Sequence, residues 1–107
     1  MTLSEDILST TMDVVLQWGP DRGIPEPDRI RTVHPELSDD EVQQSRNIAY
    51  QVLIAAINEI APSLKMNEIS RDEAVGKLRS IWPWLSDEQA LKAIGQGEYY
   101  HWRETGG

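Results

Sequence analysis

Residues 31–39 read RTVHPELSD and residues 79–87 read RSIWPWLSD, so one short chain spells nearly the same phrase twice. The match extends over 29–40 and 77–88 at a constant offset of 48. Each copy runs from a basic and apolar helix end to a proline, whose fixed φ and missing N–H block further helix. A leucine, a serine and an acidic first turn follow, the order in which a helix is stapled, capped and matched to its dipole. Such a phrase is a corner between two helices. Written twice, it predicts two helix-turn-helix hairpins packed around residues 42–60. Duplication and convergence both account for the pattern, because PxLSxxE is a good way to turn between helices, and two units are fewer than a repeat array needs.

The cap signature recurs elsewhere. Thr2/Glu5, Ser38/Glu41, Ser70/Glu73 and Ser86/Gln89 each place a hydroxyl three residues before a Glu or Gln. In this capping box the two side chains satisfy backbone N–H groups that a helix start leaves unpaired. Leu37, Ile69 and Leu85 precede three of the serines as hydrophobic staples.

The first helix is predicted over 4–18, with Ile7, Leu8, Thr11, Val14, Val15 and Trp18 on its buried face and Gly19 and Pro20 as its stop. The loop GPDRGIPEP then leads to a short helical piece over 28–33. A third helix is predicted from 39 to 61, ended by Pro62. Its IAYQVLIAAINEIA is apolar round most of its circumference, as in a helix with neighbours on all sides. The fourth, over 71–82, directs Ala74, Val75, Leu78 and Ile81 inward and stops at Pro83. The last starts at Asp87 with Ala90, Leu91 and Ile94 on its inner face. Gly95 and Gly97 each cost about 1 kcal/mol in a helix interior, which predicts a break there, with EYYHWRE a separate turn or short helix and 103–107 a flexible tail. No stretch alternates as a strand does. The predicted fold is all-α: a single domain over 1–107, a bundle of four to five helices arranged around the helix at 39–61.

Charge narrows the function. Residues 1–45 carry ten acids against Arg22, Arg29 and Arg31, so they hold −7 of the net −8. This disfavours a phosphate backbone, which is bound through released counterions by Lys and Arg, and suits a basic partner or simply solubility. The chain has no cysteine, hence no disulfide, thiol nucleophile or Cys-based zinc site, and a reducing cytoplasm is the predicted location. MTLSEDILSTTM is acidic where a signal peptide begins basic, and the longest apolar run, VLIAAI, is too short to span a bilayer, so no membrane role is predicted.

Three candidate chemistries remain. The helix after a helix-turn-helix corner can enter a major groove, where Gln43, Gln44 and Arg46 could read bases, but Asp39, Asp40, Glu41, Asp87 and Glu88 would face the phosphates. The same acids, with Glu36 and Asp28, could instead imitate nucleic-acid charge toward a basic protein groove; a solvated acidic face is the plainer reading. Glu98 and His101 have the spacing by which di-iron bundles bring a carboxylate and an imidazole to one metal, yet the second such pair is missing and His34 sits in a turn. Pairs such as Arg79 and Asp72 read as surface electrostatics.

The aromatic residues say more. Trp82, Trp84, Tyr99, Tyr100 and Trp102 gather near Arg79 and Arg103, residue types enriched at interface hot spots. Trp18 and Tyr50 are assigned to the core, and Trp82, aligned with His34, caps it. Trp84 aligns with Glu36 and therefore points outward, unless YYHW folds back over it. The terminal Gly106-Gly107 resembles the end of carrier proteins activated there, but those use a β-grasp fold. The function predicted is a small acidic, non-catalytic protein-binding module (inhibitor, immunity-type or adaptor), acting without cofactor or metal as a monomer or homodimer. Its surface would be Trp84, Tyr99, Tyr100 and Trp102, or the acidic corner of Glu36, Asp39, Asp40 and Glu41. Nucleic-acid binding through the helix-turn-helix and a metal-binding bundle are the alternatives.

Overall fold

A computed structural model describes residues 3–17 and 25–105. Trp18, Gly19, Pro20, Thr2 and the terminal diglycine lie outside the described residues. The fold is all-α, and the described residues contain no strand. The elements are α1 (Glu5–Leu16), α2 (Glu26–Val33), α3 (Asp39–Ala55), a π-helical turn (Ala56–Ile60), α4 (Ala61–Lys65), α5 (Arg71–Ile81) and α6 (Asp87–Thr105). Because α3, the π turn and α4 follow without a break and form one rod, the described residues contain five helical rods, within the four to five expected.

Contacts divide the chain into two units, residues 1–50 and 51–107. In the first, Ser4 caps α1 by accepting the N–H of Ile7 at 3.3 Å. Ser4 is the cap, which makes Glu5 the first helical residue. Pro27 occupies the first turn of α2, where its missing N–H is harmless, so that helix starts two residues earlier than predicted. Val14, Ile30, Leu37 and Val42 form a buried cluster with Ile7 packed against it. Deep in this unit Thr11 Oγ1 lies 3.0 Å from Ser45 Oγ, and Ser45 donates to the carbonyl of Val42 at 2.8 Å. Each hydroxyl is thereby satisfied, as burial requires.

The second unit ends α5 before Pro83 as expected but departs from the sequence expectation at its other two predicted breaks. Pro62 does not end the helix. The preceding turn widens to π geometry, in which the Ala61 N–H bonds Ala56 O, and Pro62 then enters the first turn of α4, where it needs no donor. The rod stops instead at Asn67, whose φ of 57° is left-handed. Its N–H bonds Leu64 O at 3.1 Å and that of Glu68 bonds Ser63 O at 2.9 Å, the two bonds of a Schellman cap.

Nor do Gly95 and Gly97 interrupt α6, which runs unbroken to Thr105 and takes residues 103–105 out of the expected tail. Gly97 has a packing reason: a Cβ there would lie 2.7 Å from the Ala56 carbonyl carbon, so α6 and the π turn approach through bare backbone. A Cβ on Gly95 would meet nothing. Ala90, Ala93, Ile94, Ala56, Ile60, Ala61, Ala74 and Leu78 are buried in this unit. Leu91 and Ile81, expected inside, are exposed, and so is Ile54, so the apolar circumference of the third helix is not covered all round.

Candidate functional site

The repeated phrase is a repeated structure. In the first copy the His34 N–H bonds Ile30 O at 3.0 Å, the Leu37 N–H bonds His34 O at 3.3 Å, and Ser38 and Glu41 exchange the two bonds of a capping box at 3.1 and 3.2 Å. In the second the same four bonds join Trp82 to Leu78, Leu85 to Trp82, and Ser86 to Gln89, at 2.9, 3.0, 3.1 and 3.0 Å. His34 and Trp82 have nearly the same backbone angles, φ/ψ of −126°/73° and −122°/80°.

An arginine ties each corner, a feature the sequence reading missed. Arg79 donates Nε–H to Leu85 O and Nη1–H to Asp87, both at 2.9 Å. Arg31 does the same toward Leu37 O, at 3.5 Å, and toward Asp39. Arg79 therefore pairs with Asp87 across the turn and not with Asp72 along its own helix. The signal was present in the alignment: both copies carry an arginine eight residues before an aspartate.

These bonds account for most of the acidic corner. Asp39 is held by Arg31, Glu41 closes the capping box, and Glu36 lies 3.5 Å from His34 Nδ1, while His34 Nε2 meets Thr10 at 3.1 Å. Of the four acids only Asp40 has no side-chain partner. Of the three candidate base readers, Gln43 and Arg46 are engaged as well. Arg46 bonds Glu26 Oε1 through Nε and Nη2, at 3.2 and 2.9 Å, and reaches Gln43, which bonds Asn47. Tyr50 completes that cluster by donating to Glu26 at 2.8 Å. It is not a core residue; its ring lies at the surface. Burial of the phenol, the bond to Glu26 and that carboxylate's charge, in that order, raise its pKa above the ordinary value against an opposing pull from Arg46.

The aromatic candidates separate. Trp84 lies in the corner before α6 and is half-buried, whereas Tyr99, Tyr100 and Trp102 lie on the last turns of that helix. At 1.5 Å per residue, Tyr99 stands about 18 Å along the axis from Asp87, so a continuous helix keeps YYHW from folding back over Trp84. Tyr99 and Trp102 are 42% and 57% exposed, and Tyr100 is half-buried. The Tyr99 and Tyr100 rings meet edge to face at 5.5 Å, and the Arg103 guanidinium lies 5.8 Å from the Tyr99 ring centre. Beside them Ala61, Lys65, Glu98, His101 and Trp102 line a groove of about 350 Å³.

Within that groove Glu98 accepts a bond from Arg71 at 2.5 Å, so the carboxylate that would share a metal with His101 already has a cation. Among the described residues no three His, Cys, Asp or Glu side chains converge as a metal site would need. No described helix is long and apolar enough to cross a membrane. No family model, curated protein or solved structure matches the chain.

Proposed function

We propose that this chain is a small acidic, non-catalytic protein-binding module whose docking surface is the C-terminal end of α6. The observation that carries the reading is the pair Tyr99 and Trp102, three residues apart on one helix and both substantially exposed, with Arg103 against the Tyr99 ring. Trp, Tyr and Arg are the residue types that dominate binding energy when a partner desolvates them. The adjoining groove, apolar at Ala61 and Trp102 and polar at Lys65, Glu98 and His101, supplies a pocket beside the aromatic anchors. The net charge of −8 favours a basic partner, and a chain with no cysteine suits the reducing cytoplasm. The acidic corner is the weaker docking surface because its acids mostly hold the turn together, and a nucleic-acid reading is weakened by the commitment of Arg46 to Glu26.

Affinity purification of the tagged protein from its host lysate, with low-salt and then high-salt washes, tests this reading. A partner that survives high salt and is lost with Trp102→Ala, while Asp40→Lys keeps it, is the expected result. Loss with Asp40→Lys alone would move the surface to the acidic corner, and recovery of nucleic acid would replace the reading.

A further inference from the structure

A second groove, away from the aromatic end, lies between the π turn and α5. It has a volume of about 280 Å³. Ala55, Ile60 and Leu78 make its apolar floor, with Glu59 on one wall and Lys77, Ser80 and Ile81 on the other. Ile60 and Leu78 are buried, while Ile81 stands 57% exposed at the lip. The Ser80 hydroxyl donates to its own helix at Lys77 O, 2.7 Å away. Among the described residues the Glu59 carboxylate and the Lys77 ammonium make no ion pair or hydrogen bond, unlike Glu26, Arg46, Arg71, Arg79, Asp87 and Glu98.

An apolar strip with one unpaired acid on one side and one unpaired base on the other is its own complement under a two-fold axis. Such an axis lays the strip against itself and each acid against the opposite base, the condition for an isologous interface. The charge of the whole chain selects the same occupant. Residues 46–107 hold only −1 of the net −8, so like-charge repulsion between two copies is weakest on the half that carries the groove, whereas a basic protein would be drawn to residues 1–45. We propose that a second copy of this chain occupies the groove, forming a two-fold dimer in which Glu59 of each protomer meets the partner's Lys77 and each Ile81 lip packs on the facing apolar strip.

Sedimentation equilibrium on the full chain and three variants tests the dimer. Glu59→Lys and Lys77→Glu each place like charges together at both pairs and should weaken dimerisation at least about tenfold. An equimolar mixture of those two variants restores opposite charge at both pairs, so the mixture should dimerise where neither does alone. Ile81→Asp, which buries a carboxylate in the strip, should dissociate the dimer as well. All three positions are exposed, and unchanged helical circular dichroism confirms that each variant folds. A wild-type chain that stays monomeric up to about 1 mM overturns the proposal. So does a dimer indifferent to the single reversals, or a mixture that fails to recover.

Discussion

The two corners, 29–40 and 77–88, agree bond for bond, yet the units that contain them are packed by different means. Both corners use a leucine staple, a serine cap and an arginine that spans the turn from carbonyl to aspartate. The first unit has a buried polar pair, Thr11 with Ser45, and an aliphatic cluster of Val14, Ile30, Leu37 and Val42. The second unit instead brings α6 against the π turn through Gly97, with small alanines around it. Such corners depend on short-range chemistry that can be written in a dozen residues. The packing behind them depends on what each helix meets, and it is free to differ.

Positions 33 and 81 show where the equivalence ends. Val33 and Ile81 occupy the same place in the two copies and are equally exposed, at 59% and 57%. Ile81 lines a groove beside an unpaired Glu59 and Lys77. Trp84 stands where the first copy has Glu36, and Trp82 where it has His34. Those side chains lie outside the bonds that make the turn, so each copy has been free to adapt them.

The staples provide the strongest way to break the comparison. Leu37→Ala and Leu85→Ala should each destabilise by about 3 kcal/mol, since both remove a buried leucine from an equivalent site. Urea unfolding of both variants measures this, and a tolerated change at one corner alone would end the claim that the two turns are energetically alike. Next comes the feature without a counterpart. Gly97→Ala should cost about 2 kcal/mol because its Cβ meets Ala56 backbone, while Gly95→Ala should gain up to about 1 kcal/mol from helix propensity. Opposite signs in one thermal-melt series would establish close packing as the reason for Gly97.

Smaller effects sharpen the same picture. Arg79→Ala and Arg31→Ala should each cost about 1 kcal/mol, from a carbonyl bond and a largely exposed ion pair, with Arg79 the greater because its carbonyl bond is 2.9 Å rather than 3.5 Å. Denaturation midpoints at low and high salt should show part of that cost screened away. The smallest effect is confined to the first unit and to alkaline pH. Tyr50 has a raised pKa in the folded chain, so its neutral form contributes stability that is complete below the ordinary phenol value, about 10, and is lost as pH rises through the raised one. Tyr50→Phe should flatten the decline of the urea midpoint above about pH 10, and an unchanged decline would place the alkaline sensitivity elsewhere.

Helix starts were legible because caps are local. Ser38, Ser70 and Ser86 are N-caps bonded as their spacing requires. Helix ends were less so, since Pro62 and Gly97 act as breakers only when nothing compensates for them. A π turn compensates for the first, and a close neighbour gives a reason for the second. Of the candidate surface, Tyr99 and Trp102 could be named from their residue types, but their distance from Trp84 followed only from an unbroken α6. The Glu26–Arg46–Tyr50 cluster had only the four-residue spacing of Arg46 and Tyr50 as a sign, because Glu26 comes to it from a different helix.

By itself the sequence determined an all-α chain, its serine-capped helix starts at Ser38, Ser70 and Ser86 and its two matching corners, because caps, staples and prolines act over three or four residues. Only the tertiary structure decided that the third and last helices run on past their apparent breaks, which acids are held in internal pairs and which side chains remain free at the surface. Many of those outcomes depend on contacts between residues far apart in the chain, such as Glu26 with Arg46 and Arg71 with Glu98, which no local spacing encodes.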